Sequence, residues 1–278
     1  MSAIISCFTD SYGSHGARAA IEHVRDVGIE YVELPIRTHG ALSAFDDEPL
    51  ITSASSLQDL KQVDQLLQSH DVKVSSFTVL SGNPLEQEVV ALLKRKIDIA
   101  SHFSVTTVVG DPGSADGEFE LQALYRNLQE LGEYCAAREM IYCLDTQPDL
   151  CRNHRFMLDA VQAVQHPNVR LNFNAGNLHY YNDQIVSEVA FAKVCHLVEH
   201  IHLKDSTGEC GERYFPALGY GGAVDFVQMA EIVRNYDYQG VCSIDIDIGD
   251  EQRTAPLSDC HKRIVQSVDQ LRICGFSI

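Results

Sequence analysis

The sequence predicts an α/β chain folded as a single (β/α)8 TIM barrel, and three observations predict it. Short β-branched runs alternate with longer segments of helical period from one end to the other, the pattern of repeated βα units. Eight such pairs fit within 278 residues, a length ordinary for one barrel. No Pro/Gly/Ser-rich linker or abrupt change of composition interrupts them, so residues 1–278 parse as one domain rather than two. An open doubly wound sheet is the rival. It would usually carry a Gly-rich phosphate turn after its first strand, and Asp10-Ser-Tyr-Gly-Ser-His-Gly16 lacks the GxGxxG spacing and reads as a loop.

The elements follow in order. Ile4 to Phe8 is the first strand, and Ala17 to Val27 a helix closed by Gly28 at its C′ position. Tyr31 to Leu34 is the second strand, ended by Pro35, and a polar loop through Gly40 and Asp46 leads to Ser56. That serine can cap a helix running to about His70. Val72 to Val79 is strand three. Pro84 suits the first turn of a helix reaching about His102, and Val105 to Val109 is strand four, before the loop Gly110-Asp-Pro-Gly113. A helix spans roughly 118–138. Strands five to eight lie near 140–145, 169–174, 198–203 and 241–246, separated by helices near 153–165, 183–195 and 223–236, and a helix from about Ser258 to Cys274 closes the set.

Composition removes several function classes. A formal net charge of -18 opposes broad attraction to phosphate backbones or anionic lipid, so no nucleic-acid or membrane partner is expected. No apolar stretch approaches the length of a membrane span, and residues 1–6 lack the basic start and apolar centre of a leader, which leads us to expect a cytoplasmic protein. The nine cysteines form no CxxC pair and sit mostly inside apolar runs, so they read as buried free thiols. With no GxSxG elbow, and with Cys143 and Cys242 inside strands, a serine or cysteine nucleophile finds no support.

In such barrels chemistry gathers where strands end. Those ends are polar here: Glu33 on strand two, Asp145-Thr-Gln147 on five, Asn174-Ala-Gly-Asn177 on six, His202-Leu-Lys-Asp205 on seven and Asp245-Ile-Asp247 on eight. A lone Asp at a strand end is more often a turn former or helix cap than a ligand. Several together shift that balance, because a hard cation such as Mg²⁺ or Mn²⁺ wants carboxylate and carbonyl oxygens with at most an imidazole. Asp145, Asn174, His202 and Asp245 therefore form a candidate metal set. The neutral Asn174 makes it a weak one, in which the ion is either loosely held or absent. Residues two apart share a strand face, so Asp245 and Asp247 point the same way and His200, His202 and Lys204 line the barrel together. His200 by itself reads as a hydrogen-bonded core histidine.

Six segments carry a resemblance: Tyr31-Val-Glu33-Leu-Pro, Leu144-Asp-Thr-Gln-Pro-Asp-Leu150, Leu171-Asn-Phe-Asn-Ala-Gly-Asn-Leu-His-Tyr-Tyr181, Ile201-His-Leu-Lys-Asp205, Leu218-Gly-Tyr-Gly-Gly-Ala-Val-Asp-Phe226 and Ser243-Ile-Asp245. The chain resembles, over nearly its whole length, the xylose isomerase-like TIM-barrel family of sugar and sugar-phosphate isomerases and epimerases. The resemblance implies metal-assisted proton transfer beside a carbonyl, through an enediolate. Members commonly hold a divalent metal with a Glu, an Asp, a His and a Glu at the ends of strands five to eight. The motifs place Asp145 at the first Glu, Asn174 at the Asp, His202 at the His and Asp245 at the last Glu, so only His202 is retained in kind.

In the epimerases those two Glu residues pass the proton, which implies catalytic roles for Asp145 and Asp245. Each carboxylate is drawn back by roughly 1.5 Å, a displacement to which catalysis is sensitive. Glu33 matches a recurrent Glu and is a third catalytic candidate, its alternative being a structural partner for a basic residue. Arg213 matches a position where relatives bring a basic residue toward substrate, and Lys204, Asn177 and Gln147 complete the expected contacts to a small sugar or sugar phosphate. The implied cofactor is Mn²⁺ or Mg²⁺, with Zn²⁺ as a third candidate, and a homo-oligomer is compatible with the family. Two other readings stand beside this one. A barrel with a degenerate metal site can serve as a sugar-binding or regulatory protein. The endonuclease IV type of DNA-repair enzyme, from the same superfamily, has similar motif fragments but needs histidines where Gln147, Asn177 and Tyr214 stand.

Overall fold

The computed structural model of the chain describes residues 3–42 and 45–278. Met1 and Ser2, the start of the segment read against a leader, and residues 43 and 44 of the loop between Gly40 and Asp46 lie outside the described residues. Eight strands pair in chain order, each parallel to the next, and the last returns to the first to close a barrel. They are β1 Ile4–Phe8, β2 Tyr31–Pro35, β3 Lys73–Thr78, β4 Thr107–Gly110, β5 Ile141–Leu144, β6 Val169–Asn174, β7 Val198–Leu203 and β8 Val241–Ile244. The surrounding helices are α1 Gly16–His23, α2 Leu57–Ser69, α3 Gln87–Ser101, α4 Glu118–Ala136, α5 His154–Val164, α6 Ala175–Tyr181, α7 Ser187–Val194, α8 Phe226–Asn235, α9 Asp250–Thr254 and α10 Leu257–Cys274. The molecule is a single-domain (β/α)8 barrel.

Local chemistry explains the helix starts. Ser56 and Asp59 form a reciprocal capping box at α2, Asn153 accepts from Arg155 and Phe156 amides at α5, and Asp225 accepts from Val227 and Gln228 amides at α8. The predicted helix over 17–27 is shorter: α1 ends at His23 and a tighter 3-10 turn carries the chain to Val27, with Gly28 in the left-handed region at φ 86°. Pro84 lies in the turn before Glu86, the N-cap of α3, rather than in the helix. The loop over Asp10 to Gly16 is a 3-10 segment over Thr9–His15 kinked at Gly13, where a Cβ would fall 2.4 Å from the carbonyl of Gln252. The short helices α6 and α9 were not predicted, being too brief to show a period.

The apolar core lies between barrel and helices. Val32, Leu34, Phe173, Ile201 and Ile244 point outward from their strands and are buried, each contributing on the order of 1.5–3 kcal/mol. Phe173 meets Phe191 of α7 with ring centroids 4.9 Å apart. Alternation then sends their neighbours Glu33, Asn172, Asn174, His200, His202 and Ser243 into the barrel interior, which is unusually polar. Eight cysteines are buried and Cys210 is exposed, and all nine are free. No helix of the described residues is long and apolar enough to cross a membrane.

Candidate functional site

The polar ends of the strands converge. Asp145, Gln147, Asn174, Asn177, His202, Lys204, Arg213 and Asp245 all line one cavity of about 380 Å³ at the carboxyl-end mouth of the barrel. Glu33 sits just beneath it, fully buried, holding His202 from below. The registers place them: Asn174 is level with His202 on β6 and β7, while Asp145 and Asp245 follow β5 and β8 directly. The cavity is within the size range of small-molecule sites.

Inside the barrel one hydrogen-bonded column reaches up to this mouth. Ser6 Oγ meets Ser75 Oγ at 2.8 Å, Ser75 meets Ser76 at 3.2 Å, and Ser76 Oγ lies 2.9 Å from His200 Nε2. The Nδ1–H of His200 donates to Asn172 Oδ1 at 2.9 Å. Asn172 Nδ2 in turn donates to Asp145 Oδ1 at 2.7 Å and to His202 Nδ1 at 2.9 Å. Because a carboxylate can only accept, Asp145 fixes which way the Asn172 amide points, and that fixes the ring proton of His202 on Nε2. From there it donates to both oxygens of Glu33 at 3.1 Å, and Thr78 Oγ1 donates to Glu33 Oε1 at 2.6 Å. His200, with both ring nitrogens engaged, is the core histidine that the sequence suggested.

Burial and neighbouring charge shift these groups in different directions. Burial opposes ionisation of Glu33, but the His202 and His200 rings and the donors outweigh it and hold the carboxyl at about 2. Burial likewise works against a charged His202, while Glu33, Asp245 and Asp145 pull its titration upward; with the Asn172 amide N–H aimed at Nδ1, the ring keeps its single proton on Nε2. Desolvation pushes His200 down to about 4. Asp145 lies above the usual carboxylate range because its burial is only partly offset by His202, Asn172 and Gln147.

Three ion pairs ring the mouth. Arg37 Nη2 is 2.7 Å from Asp10 Oδ1, Lys204 Nζ is 2.9 Å from Asp245 Oδ2, and Arg213 Nη2 is 3.0 Å from Asp247 Oδ2. The Lys204–Asp245 pair is buried and the Arg37–Asp10 pair half-buried, whereas the Arg213 side chain is 61% exposed. Phe215 exchanges backbone hydrogen bonds with Asp247, pinning the loop after β7 against the end of β8. Asp205 anchors the same loop by accepting from the amides of Ser206, Gly219 and Val224. The Phe215 ring is thereby laid 4.4 Å from Lys204 Nζ.

The donor sets for a divalent ion can be compared with this geometry. Ligation by Asp145, Asn174, His202 and Asp245 needs lone pairs aimed at one point. Asn174 instead uses Oδ1 to accept from the Asn177 amide at 3.0 Å, capping α6, and turns Nδ2 toward Asp245 Oδ2 and His202 Nδ1, both at 3.4 Å. The Lys204 ammonium already holds that Asp245 oxygen. The four strand ends as arranged do not fit a metal. Glu33, His200 and His202 form a second candidate site, with ligand atoms all within 4.8 Å of one another. Their lone pairs and protons are spent on each other, on Thr78 and on Ser76.

Three site residues escaped the sequence reading. Asn172 is the hub of the column, and Arg37 and Asp10 form a wall of the cavity. Strand parity points to Asn172, two before Asn174 on β6, whereas Arg37 lies past the end of β2 and Asp10 in the 3-10 segment after β1, two residues from Phe8, whose ring stacks on His202 with centroids 5.5 Å apart.

A family model described as "Xylose isomerase-like TIM barrel" matches residues 21–269. Among curated proteins, an inosose dehydratase of Histophilus somni (strain 129Pt) is 27% identical over 139 residues, 44% of this chain and 46% of that one. The matched part thus spans about half the length of that relative. Solved structures are similar throughout. A xylose isomerase domain protein of Planctomyces limnophilus aligns with a TM-score of 0.77 at 17% identity, covering 99% of this chain and 98% of the other. A D-psicose 3-epimerase of Clostridium cellulolyticum H10, solved with D-tagatose, gives 0.74 at 12% identity over 97% and 98%. A xylose isomerase-like barrel protein of Mycobacterium smegmatis, in complex with magnesium, gives 0.72 at 17% identity over 98% and 99%.

Proposed function

Since the chain belongs to the xylose isomerase-like TIM-barrel family, we propose that its mouth binds a small sugar or sugar phosphate and moves a proton at a carbon beside the carbonyl, as a sugar isomerase or epimerase does. The observation that carries this reading is the convergence of two buried carboxylates, Asp145 and Asp245, with Lys204, Arg213, Gln147 and Asn177 around one sugar-sized cavity. The relatives' names support it chemically. Epimerising a ketose beside its carbonyl and dehydrating an inosose both begin by removing a proton from a carbon next to a carbonyl.

The residues divide the work by environment. Asp145, whose carboxyl is raised by burial and which among the described residues has no lysine or arginine at ion-pair distance, is suited to take and return a proton. In that step the C–H electron pair becomes the C=C bond of the enediol, and the carbonyl pair moves onto oxygen. Asp245, held by Lys204, orients the charge opposite. Glu33 supports His202 from below and does not line the cavity, so its role is positioning. Arg213 and Arg37 at the rim suit a hydroxyl or phosphate. A Mn²⁺ or Mg²⁺ ion, when bound, supplies Lewis-acid polarisation of a carbonyl, but the donor set does not fit one and no step here depends on it.

Asn174 and the two short Asp side chains favour one second reading, a barrel that binds a sugar without turning it over. Deuterium wash-in from D₂O separates the two. Ketopentoses, ketohexoses, their phosphates and an inosose would be incubated with the protein and read by NMR at the carbons beside the carbonyl. The isomerase reading expects exchange on at least one of them, lowered about 100-fold or more by Asp145→Asn. Exchange on none, with ligand-induced shifts still seen, would leave only the binding protein.

A further inference from the structure

We infer that the Lys204 ammonium is the resident cation of this pocket, and that with the Asn174 carboxamide N–H group it receives the substrate's carbonyl oxygen in place of a divalent ion. The inference deepens the isomerase reading and rests on it for the identity of the ligand.

Three observations support it. Strand parity from His200 and His202 sends Lys204 inward, where it is buried at the mouth and bonded to Asp245 at 2.9 Å. Among the described residues Asp245 is its one hydrogen-bond acceptor, so the other ammonium protons remain for a ligand. Asn174 is locked by its cap to α6, which leaves Nδ2 facing the same carboxylate and His202 Nδ1, each across a long 3.4 Å that a ligand oxygen can replace. Asp245 Oδ2 is thus bonded to an ammonium and Asn174 Oδ1 is turned to its cap, and N–H donors stand at both positions. The Lys204 stem is packed rather than adjustable: Gly176 of α6 lies so close that a Cβ there would fall 2.8 Å from Lys204 Cγ. The Phe215 ring at 4.4 Å covers the ammonium from the loop side.

The chemistry balances without any further reactant. Asp145 accepts the proton from carbon, the C–H pair forms the C=C bond, and the carbonyl π pair moves to oxygen, where the Lys204 and Asn174 N–H groups meet the growing charge. Return of the proton to the former carbonyl carbon, with the hydroxyl proton of the deprotonated carbon passing to the former carbonyl oxygen, completes an isomerisation, and return to the carbon it left gives isotope exchange alone. Preorganised donors of this kind are worth most when they face the atom on which charge develops.

The test uses the whole protein and four variants: Lys204→Met, Lys204→Arg, Asn174→Asp and the Asn174→Asp/Lys204→Met double. Mn²⁺ is titrated and followed by EPR, and deuterium wash-in is measured before and after EDTA dialysis, with thermal melts confirming that each variant folds. Wild type should leave submillimolar Mn²⁺ free and keep its exchange after EDTA. Lys204→Met should lower exchange about 100-fold, with Lys204→Arg restoring part of it. The double variant, with a carboxylate regained and the ammonium gone, should bind Mn²⁺. Tight Mn²⁺ binding by wild type, loss of exchange after EDTA, or full exchange in Lys204→Met would each overturn the inference. Should wild type exchange no sugar at all, the isomerase reading falls, and the EPR arm still decides this one: Mn²⁺ bound by the double variant alone supports it, and identical behaviour of the two proteins refutes it.

Discussion

The column inside the barrel and the ring of charges at its mouth are built from similar residue types and do different things. In the column, from Ser6 through His200 and Asn172 to Glu33, donors meet acceptors within the protein, mostly between neutral groups. At the mouth, charge is paired but each pair faces the cavity: Arg37 with Asp10, Lys204 with Asp245, Arg213 with Asp247. Buried polar groups cost little when every partner is present and much when one is lost. The column is therefore a scaffold that fixes His202 and Asp145, while the mouth keeps charges that a ligand can engage.

Variants on the two sides should separate accordingly. The largest effect on stability is expected from Asn172→Leu, which leaves His200 Nδ1 without an acceptor and takes the nearest side-chain donor from both Asp145 Oδ1 and His202 Nδ1, at a cost of about 3–5 kcal/mol in urea unfolding. A loss under about 1 kcal/mol would mean the column is not the scaffold described.

Next comes Asp10, the half-buried carboxylate of a mouth pair. Burial pushes its carboxyl up to about 6 although Arg37 pulls it down. The folded state then binds the proton more tightly than the unfolded chain. Its contribution is present below the ordinary value of 3.8 and lost as pH rises through about 6. Asp10→Asn should remove on the order of 2–3 kcal/mol from the difference in unfolding free energy between acidic and neutral pH. An unchanged pH profile would show that Arg37 keeps Asp10 ionised throughout.

The smallest effect is expected at the rim. Arg213→Ala should change stability by less than about 0.5 kcal/mol, since its guanidinium is mostly in solvent. It should nevertheless weaken a phosphorylated ligand by about tenfold, read by calorimetry. Equal affinity would remove Arg213 from the binding surface and sharpen the contrast around Lys204 alone.

Much of this was legible beforehand. Asp145, Asn174, His202 and Asp245 stand at ends of consecutive strands, and βα alternation made their convergence predictable; Lys204 followed from a two-residue period. Asn172 obeys the same parity, whereas Arg37 and Asp10 lie beyond their strands, and nothing local distinguishes the three from other polar residues nearby. The helix over 175–181 stayed hidden because seven residues are too few for a hydrophobic period, although Asn174 as its cap decides what that amide can do.

The sequence by itself determined the barrel, its strand order and which side chains enter it, because alternation and period act along the chain. Only the tertiary structure decided what those side chains are for. Asn174 turns its nitrogen inward because the Asn177 amide takes its oxygen, Lys204 meets Asp245 across β7 and β8, and Phe215 arrives from a loop anchored by Asp205. Hydrogen-bond direction and charge pairing depend on partners remote in the chain, and no periodicity records them.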